Sequence, residues 1–276
     1  MMTPTPSPTP TPTPASNLYV ANSNQVLLKF ALPLTSGSTP VTQTTVPTDG
    51  EGLNGVAVNA QFIATLSTLG EVALFAQPLA SASTPTVQFT LPQNAGRLMT
   101  FDGAGDLWAA TGSDTFDEYK SPFTNGMSPA LNTDNISSGL GIAFDASGNL
   151  YITDGGSFDV FAPPYTGSPI SVTLPGINPV AYGNAIIGTQ IFIADRGDSV
   201  IAVYNLPVTA SSTPAITFTA HQPLGIASDS SGNLYVASNG EPGNIFVFAP
   251  PFTASSVPAV TVNNALNSPI GIAVGP

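Results

Sequence analysis

The stretch SGNLYVAS (231–238) has near copies at 147–154 (SGNLYITD), 104–111 (AGDLWAAT) and 15–22 (ASNLYVAN). Two further segments, QFIAT (61–65) and QIFIA (190–194), keep the same apolar core without the Gly-Asn opening. Six copies therefore run through the chain. They recur every ~43 residues, a period that marks solenoids, propellers or arrays.

Each copy sits in the same four-part grammar. A short strand of small and apolar residues comes first: NGVAV (54–58), LMTF (98–101), GIAF (141–144), VAYG (180–183), GIAS (225–228) and GIAV (271–274). A tight turn such as DASG (145–148) or DSSG (229–232) follows. Asp opens such turns by bonding nearby backbone, and Gly supplies the positive φ. The NLYV-type strand is second. A third strand ends at proline in every copy, as in SFDVFAPP (157–164) and NIFVFAPP (244–251). A further proline opens the fourth, as in TPAITFT (213–219) and VPAVTV (257–262). Proline cannot donate into a ladder, so it marks strand ends and outer edges. β-Branched and aromatic residues fill the strands, and no helical periodicity of useful length competes.

Four short antiparallel strands repeated six times predict an all-β fold, a six-bladed β-propeller. The Gly/Ala-rich strand belongs nearest the axis, where blades crowd, and the proline-flanked strand outside. The chain starts on a second strand, NLYV (17–20), and stops after a first strand, GIAVGP (271–276). The two fragments complete one blade, so pairing of N- and C-terminal strands closes the ring. The expected division is a Thr/Pro-rich tail over 1–16 and a propeller over 17–276.

Composition narrows the partners. Only 7% of the 276 residues are charged, the net charge is −12, and there is no cysteine. The basic residues are Lys29, Arg97, Lys120 and Arg196. Nucleic-acid binding needs several cations to displace phosphate counterions, which this set cannot supply. An anionic membrane surface is disfavoured for the same reason, and no apolar run approaches the ~18 residues of a membrane span. Solubility then rests on Ser, Thr, Asn and Gln, a surface that suits a secreted or cell-surface protein. MMTPTPSP has neither the basic start nor the apolar stretch of a signal peptide, so the sequence is expected to begin after a cleaved one. The run TPTPSPTPTPTP (3–14) reads as a polyproline spacer with the composition of O-glycosylated stalks. NIS (135–137) is an isolated N-glycosylation sequon.

GIAFDASGNLYITD (141–154) and GIASDSSGNLYVAS (225–238) resemble the NHL repeat, and nearly all of 17–276 is similar to the wider senescence-marker/gluconolactonase group of propellers. That resemblance implies a scaffold used by protein- and RNA-binding modules, lyases and lactonases. GEGL (50–53) is similar to the Gly-Glu-Gly-Pro start of the gluconolactonase family, whose Glu is a metal ligand, which implies a Ca²⁺ role for Glu51. The family also draws an Asn and an Asp from other first-strand lead-ins. Asn178 and Asn267 stand in for the Asn, but no Asp occupies a lead-in.

Propellers take ligands at the mouth of the central channel, and the repeat register places Glu51, Asn94, Ser137, Asn178, His221 and Asn267 there. His221 is the only histidine, so a His-based zinc site is excluded. Asp102, Asp145 and Asp229 recur at one turn position and read as structural caps. RGD (196–198) fills a turn, and Trp108 replaces the Tyr of NLYV as blade core. No nucleophile elbow, phosphate loop or Cys/His cluster appears. The expected function is a non-catalytic binding or structural module that self-associates or meets another extracellular protein or a glycan. A calcium-dependent lactonase or hydrolase is the competing expectation.

Overall fold

The computed structural model describes residues 16–93, 95–240 and 243–276; of the 1–16 tail only Ser16 is among them. The described residues form six sheets of four antiparallel strands each. Blade one orders β24 (Pro269–Gly275), β1 (Asn17–Asn22), β2 (Val26–Ala31) and β3 (Thr42–Thr45) from axis to rim. Blade two is β4 (Leu53–Val58) to β7 (Val87–Thr90), and blade three β8 (Met99–Phe101) to β11 (Leu131–Thr133). Blade four is β12 (Gly139–Phe144) to β15 (Ile170–Thr173). Blade five is β16 (Ala181–Ile187) to β19 (Ile216–Thr219), and blade six β20 (Pro223–Ser228) to β23 (Val260–Val262). The ring closes where Leu18 pairs with Val274 and Val20 with Ile272. The six-bladed propeller expected from the repeat is the fold.

Glycine at the axis follows from close approach between blades. A Cβ on Gly55 would stand 2.7 Å from the carbonyl oxygen of Arg97 in blade three. Gly141, Gly183, Gly225 and Gly271 would likewise collide with the carbonyls of Tyr182, Leu224, Ile270 and Asn54, each on the next blade. Only blade three breaks the pattern: Leu98 takes the glycine's place, and its N–H donates 3.1 Å to Leu140 O. Inside this girdle the six innermost strands enclose an axial cavity of about 210 Å³, lined mainly by Val, Ile and Ala.

The core is distributed. Six hydrophobic clusters occur, one at each blade–blade junction. Each third strand ends at a cis X–Pro bond. The next side chain in every copy (Leu34, Leu79, Phe123, Tyr165, Val208, Phe252) packs onto the preceding blade. Phe252 of blade six, for example, meets Phe192 edge-on at 4.9 Å and stacks on Phe218, both in blade five. The loops after the prolines thus staple neighbours together, and burial of Leu34, Leu79, Phe123 and Val208 contributes about 1.5–3 kcal/mol apiece.

In blade five the first strand runs on to Ile187, four residues past the VAYG segment (180–183), because Gly188 turns the chain at positive φ without an aspartate turn. No helix among the described residues is long and apolar enough to cross a membrane.

Candidate functional site

Propeller topology gives two faces. One carries the turns between first and second strands; the other carries the first-strand lead-ins.

On the turn face, Asp145 and Asp229 make the same set of bonds. Asp145 Oδ1 accepts from the backbone N–H of Ser147 and Asn149; its Oδ2 accepts from Asn149 Nδ2 at 2.8 Å and Tyr151 OH at 3.1 Å. Asp229 repeats this with Ser231, Asn233 and Tyr235. Burial raises both carboxyl pKa values, but the donated hydrogen bonds outweigh it and hold both below the ordinary aspartate range. The same bonds leave the Tyr151 and Tyr235 hydroxyls hard to ionise, burial being the larger cause. In blade three Trp108 Nε1 replaces the tyrosine hydroxyl and donates to Asp102 Oδ2 at 3.0 Å. In blades two and five both the turn aspartate and the donor are absent: the Asn59 turn goes with Ala64, which pairs with Ala57 as Tyr151 does with Ala143, and the Gly188 turn with Phe192; in blade one, Tyr19 keeps the hydroxyl and donates it to Pro276 O at 2.6 Å.

Asp102, Asp106 and Glu118 bring three carboxylates within 4.8 Å of one another. Asp106 stands where Asn149 and Asn233 donate to the turn aspartate, and a carboxylate cannot donate. Lys120 makes good the deficit, its ammonium 3.0 Å from Asp106 Oδ2 and 2.5 Å from Glu118 Oε1. The cluster carries its own cation.

The lead-in face is irregular. Glu51, Ser137, Asn178, His221 and Asn267 are exposed on its rim; Asn94 lies outside the described residues. Most of them are tied to the turn after the second strand of their own blade. Ser137 N–H donates to Asp154 Oδ2 at 2.8 Å, and Asn178 N–H to Asp198 Oδ1 at 3.2 Å. Asn267 N–H donates to Asn22 Oδ1, while its own Oδ1 accepts from Ser23 Oγ at 3.1 Å. His221 packs over Gly240. Among the described residues no hydrogen bond joins any two of the six. Glu51, Asn178 and Asn267 are thus held at separate turns, and the Asn267 oxygen is already engaged. A Ca²⁺ ion, which takes 6–8 convergent oxygen ligands, does not fit this set as it stands.

The ring that closes on the axis lies three residues further along five of the copies and four further along in blade five. It comprises Asn54, Arg97, Leu140, Tyr182, Leu224 and Ile270, whose carbonyls meet the preceding blade at the glycine girdle. Sequence register alone missed this offset, although the GIA triplets that follow three of these positions mark it. The RGD turn is rigid: Asp195 Oδ1 accepts from the N–H groups of Val180, Gly197 and Asp198. Trp108 is 1% exposed and surrounded by Phe116, Phe144 and Tyr165.

No family model matches the chain, and no curated protein matches it. Solved structures do, 1307 chains of them, so the shape is common and discriminates little between functions. A periplasmic gluconolactonase of Pseudomonas aeruginosa is 11% identical with a TM-score of 0.69, over 95% of this chain and 99% of that one. A chain of a nidogen/laminin complex is 15% identical with a TM-score of 0.67, over 94% and 98%. A functionally unknown protein from Desulfotomaculum acetoxidans is 13% identical with a TM-score of 0.65, over 94% and 85%. At these identities the likeness establishes the architecture the three share with this chain, that of a β-propeller.

Proposed function

We propose that this chain is a non-catalytic, secreted or cell-surface propeller that works as a binding or structural module and self-associates. One observation carries the reading. The six rim strands, TQTT, VQFT, LNT, ISVT, ITFT and VTV, contain no charged residue. Exposed strand edges are templates for pairing with another chain, and lysines usually block them. One edge is covered by its neighbour: Gln88 N–H donates to Asn125 Oδ1 at 2.8 Å, and Gln88 O accepts from Gly126 N–H at 2.9 Å. The matching residues Thr217 and Thr261 lie exposed on their rims. A propeller of similar shape takes part in the nidogen/laminin complex, which supports the protein-binding part.

Sedimentation velocity with negative-stain imaging tests the reading. Species larger than the 28.0 kDa chain, dispersed by Thr217→Lys and Thr261→Lys, are the expected result; a 28.0 kDa monomer at every concentration overturns self-association. Deleting residues 1–16 leaves the propeller folded and weakens the assembly. The competing lactonase or hydrolase needs Glu51 and further oxygens to converge on calcium. Calorimetric heat with millimolar Ca²⁺, abolished by Glu51→Gln, would reinstate it.

A further inference from the structure

Two departures from the repeat meet at the junction of blades five and six. The first is Phe246 on β22 (Asn244–Phe248), which pairs with Val236 of the second strand. The same place in the other blades holds Leu28, Ala73, Asp117, Asp159 or Ala202, none more than 4% exposed, whereas Phe246 is only half-buried. The second is Val257. Its loop, FTASSVPA (252–259), copies VTASSTPA (208–215) of blade five, and in all five other blades the residue before this proline is Thr or Ser. Val257 is 75% exposed.

Both line one cleft of about 380 Å³, with Thr219 and His221 on its blade-five wall and Phe246, Ala254, Val257 and Pro258 on its blade-six wall. No Asp, Glu, Lys or Arg lines it. Matching loops elsewhere are fastened to the blade before: Asn264 Nδ2 donates to Ser38 O at 3.0 Å, and Gly126 N–H to Gln88 O at 2.9 Å. The blade-six loop is braced on itself, Thr253 N–H donating to Ser256 Oγ at 2.8 Å and Ser256 N–H to Thr253 O at 3.0 Å. The chain outside the described residues supplies an uncharged segment, TPTPSPTPTPTP (3–14). Proline at every second position removes N–H groups that a strand needs, so this segment cannot pair with a rim edge. Its rings and pre-set φ suit an aromatic-lined groove, which takes polyproline at low entropic cost. Thr219 and His221 carry donors that its carbonyls can accept. Ser16, where the segment joins the propeller, lies on the other side of blade six, with Pro33 of blade one and the Asp229 turn. The 15 residues before it reach about 46 Å when extended, and in its own copy part of that reach is used in rounding the blade. A neighbour's tail meets no such limit.

We propose that this cleft is the docking site for the Thr/Pro tail of a second copy of the chain. The site rests on the self-association reading above and names the segment and the surface that meet. An uncharged tail on an uncharged cleft lets two chains of net charge −12 join without opposing their carboxylates.

The test uses the full chain, which has no cysteine, so single thiols can be placed at will. A tagged copy with Ser7→Cys is mixed with an untagged copy with Ser255→Cys and oxidised, and the mixed disulfide is read by its mass on a non-reducing gel. Its yield is expected to be at least fivefold that obtained with Ser147→Cys, at an exposed turn of blade four. Phe246→Ala with Val257→Thr, which gives blade six the residues of blade five, lowers the yield to that of the Ser147 control with the fold unchanged. Equal yields at Ser255 and Ser147, or a Ser255 yield indifferent to the two replacements, overturn the site. A chain carrying both Ser7→Cys and Ser255→Cys that closes on itself in preference to crosslinking overturns docking between copies. Failed crosslinking with assembly still present in sedimentation strikes the tail site alone. A native chain that is monomeric at every concentration strikes self-association and the site together.

Discussion

The two faces of the propeller are built on opposite logic. On the turn face three blades repeat one arrangement, an aspartate that caps its own turn and holds an aromatic donor from the second strand. The carboxylates there are satisfied locally, by donated hydrogen bonds or by the Lys120 ammonium. On the lead-in face the residues just before the girdle read Asn, Arg, Leu, Tyr, Leu, Ile and repeat nothing beyond their backbone. Its arginines have no carboxylate partner among the described residues. Repetition marks what every blade needs in order to stand; departure from it marks what one place on the ring does. The girdle between the faces belongs with the first kind, since the glycine requirement comes from blade spacing alone.

That contrast can be broken by experiment. The largest effect is expected at the girdle: Gly225→Ala forces a Cβ into Ile270 O and costs about 3 kcal/mol, the upper end for overpacking, read as a lowered urea midpoint. Next is Asp229→Ala, which strips the acceptor from the backbone N–H groups of Ser231 and Asn233 and from the side-chain donors of Asn233 and Tyr235 and costs about 1–2 kcal/mol. A cost as large for Asn178→Ala on the lead-in face would erase the distinction between the faces.

A third experiment uses pH. The folded pKa values of Asp145 and Asp229 are depressed, so their stabilisation is present above the unfolded value of about 3.9 and is lost as pH falls through the folded values. Asp117 and Asp159, on the third strands of blades three and four, go the other way: burial raises them against the hydrogen bonds from Asn132 and Ser171. Their contribution is present below about pH 3.9 and is lost as pH rises through the folded values. Urea midpoints at pH 3 and pH 7 should show a larger disadvantage of Asp145→Asn at the higher pH. Asp117→Asn with Asp159→Asn should gain on the native protein over the same rise. The smallest effect is expected for Arg196→Gln, whose stability should stay within about 0.5 kcal/mol of the native protein. A large stability loss there would make Arg196 a scaffold residue.

Much of this molecule is legible in one dimension. The octets fix the blade count because a strand, a turn and a second strand can be spelled locally, by alternation, by Asp and by a Gly at positive φ such as Gly148 or Gly232. The prolines fix where strands stop because the missing N–H is a property of the residue itself. Closure by β24 and β1 is legible because the two end fragments complement each other. The stapling side chains were not legible as such: Leu34 and Phe252 are apolar residues in loops, and only the neighbouring blade shows what buries them.

Sequence by itself determined the architecture, because each blade's hydrogen bonding and turn chemistry are written within ~43 consecutive residues. Only the tertiary structure decided the site. It placed the axial ring three residues beyond the rim, four in blade five, and held Glu51, Asn178 and Asn267 at separate turns. Placement of that kind depends on how six blades pack around an axis, and no local pattern of residues encodes it.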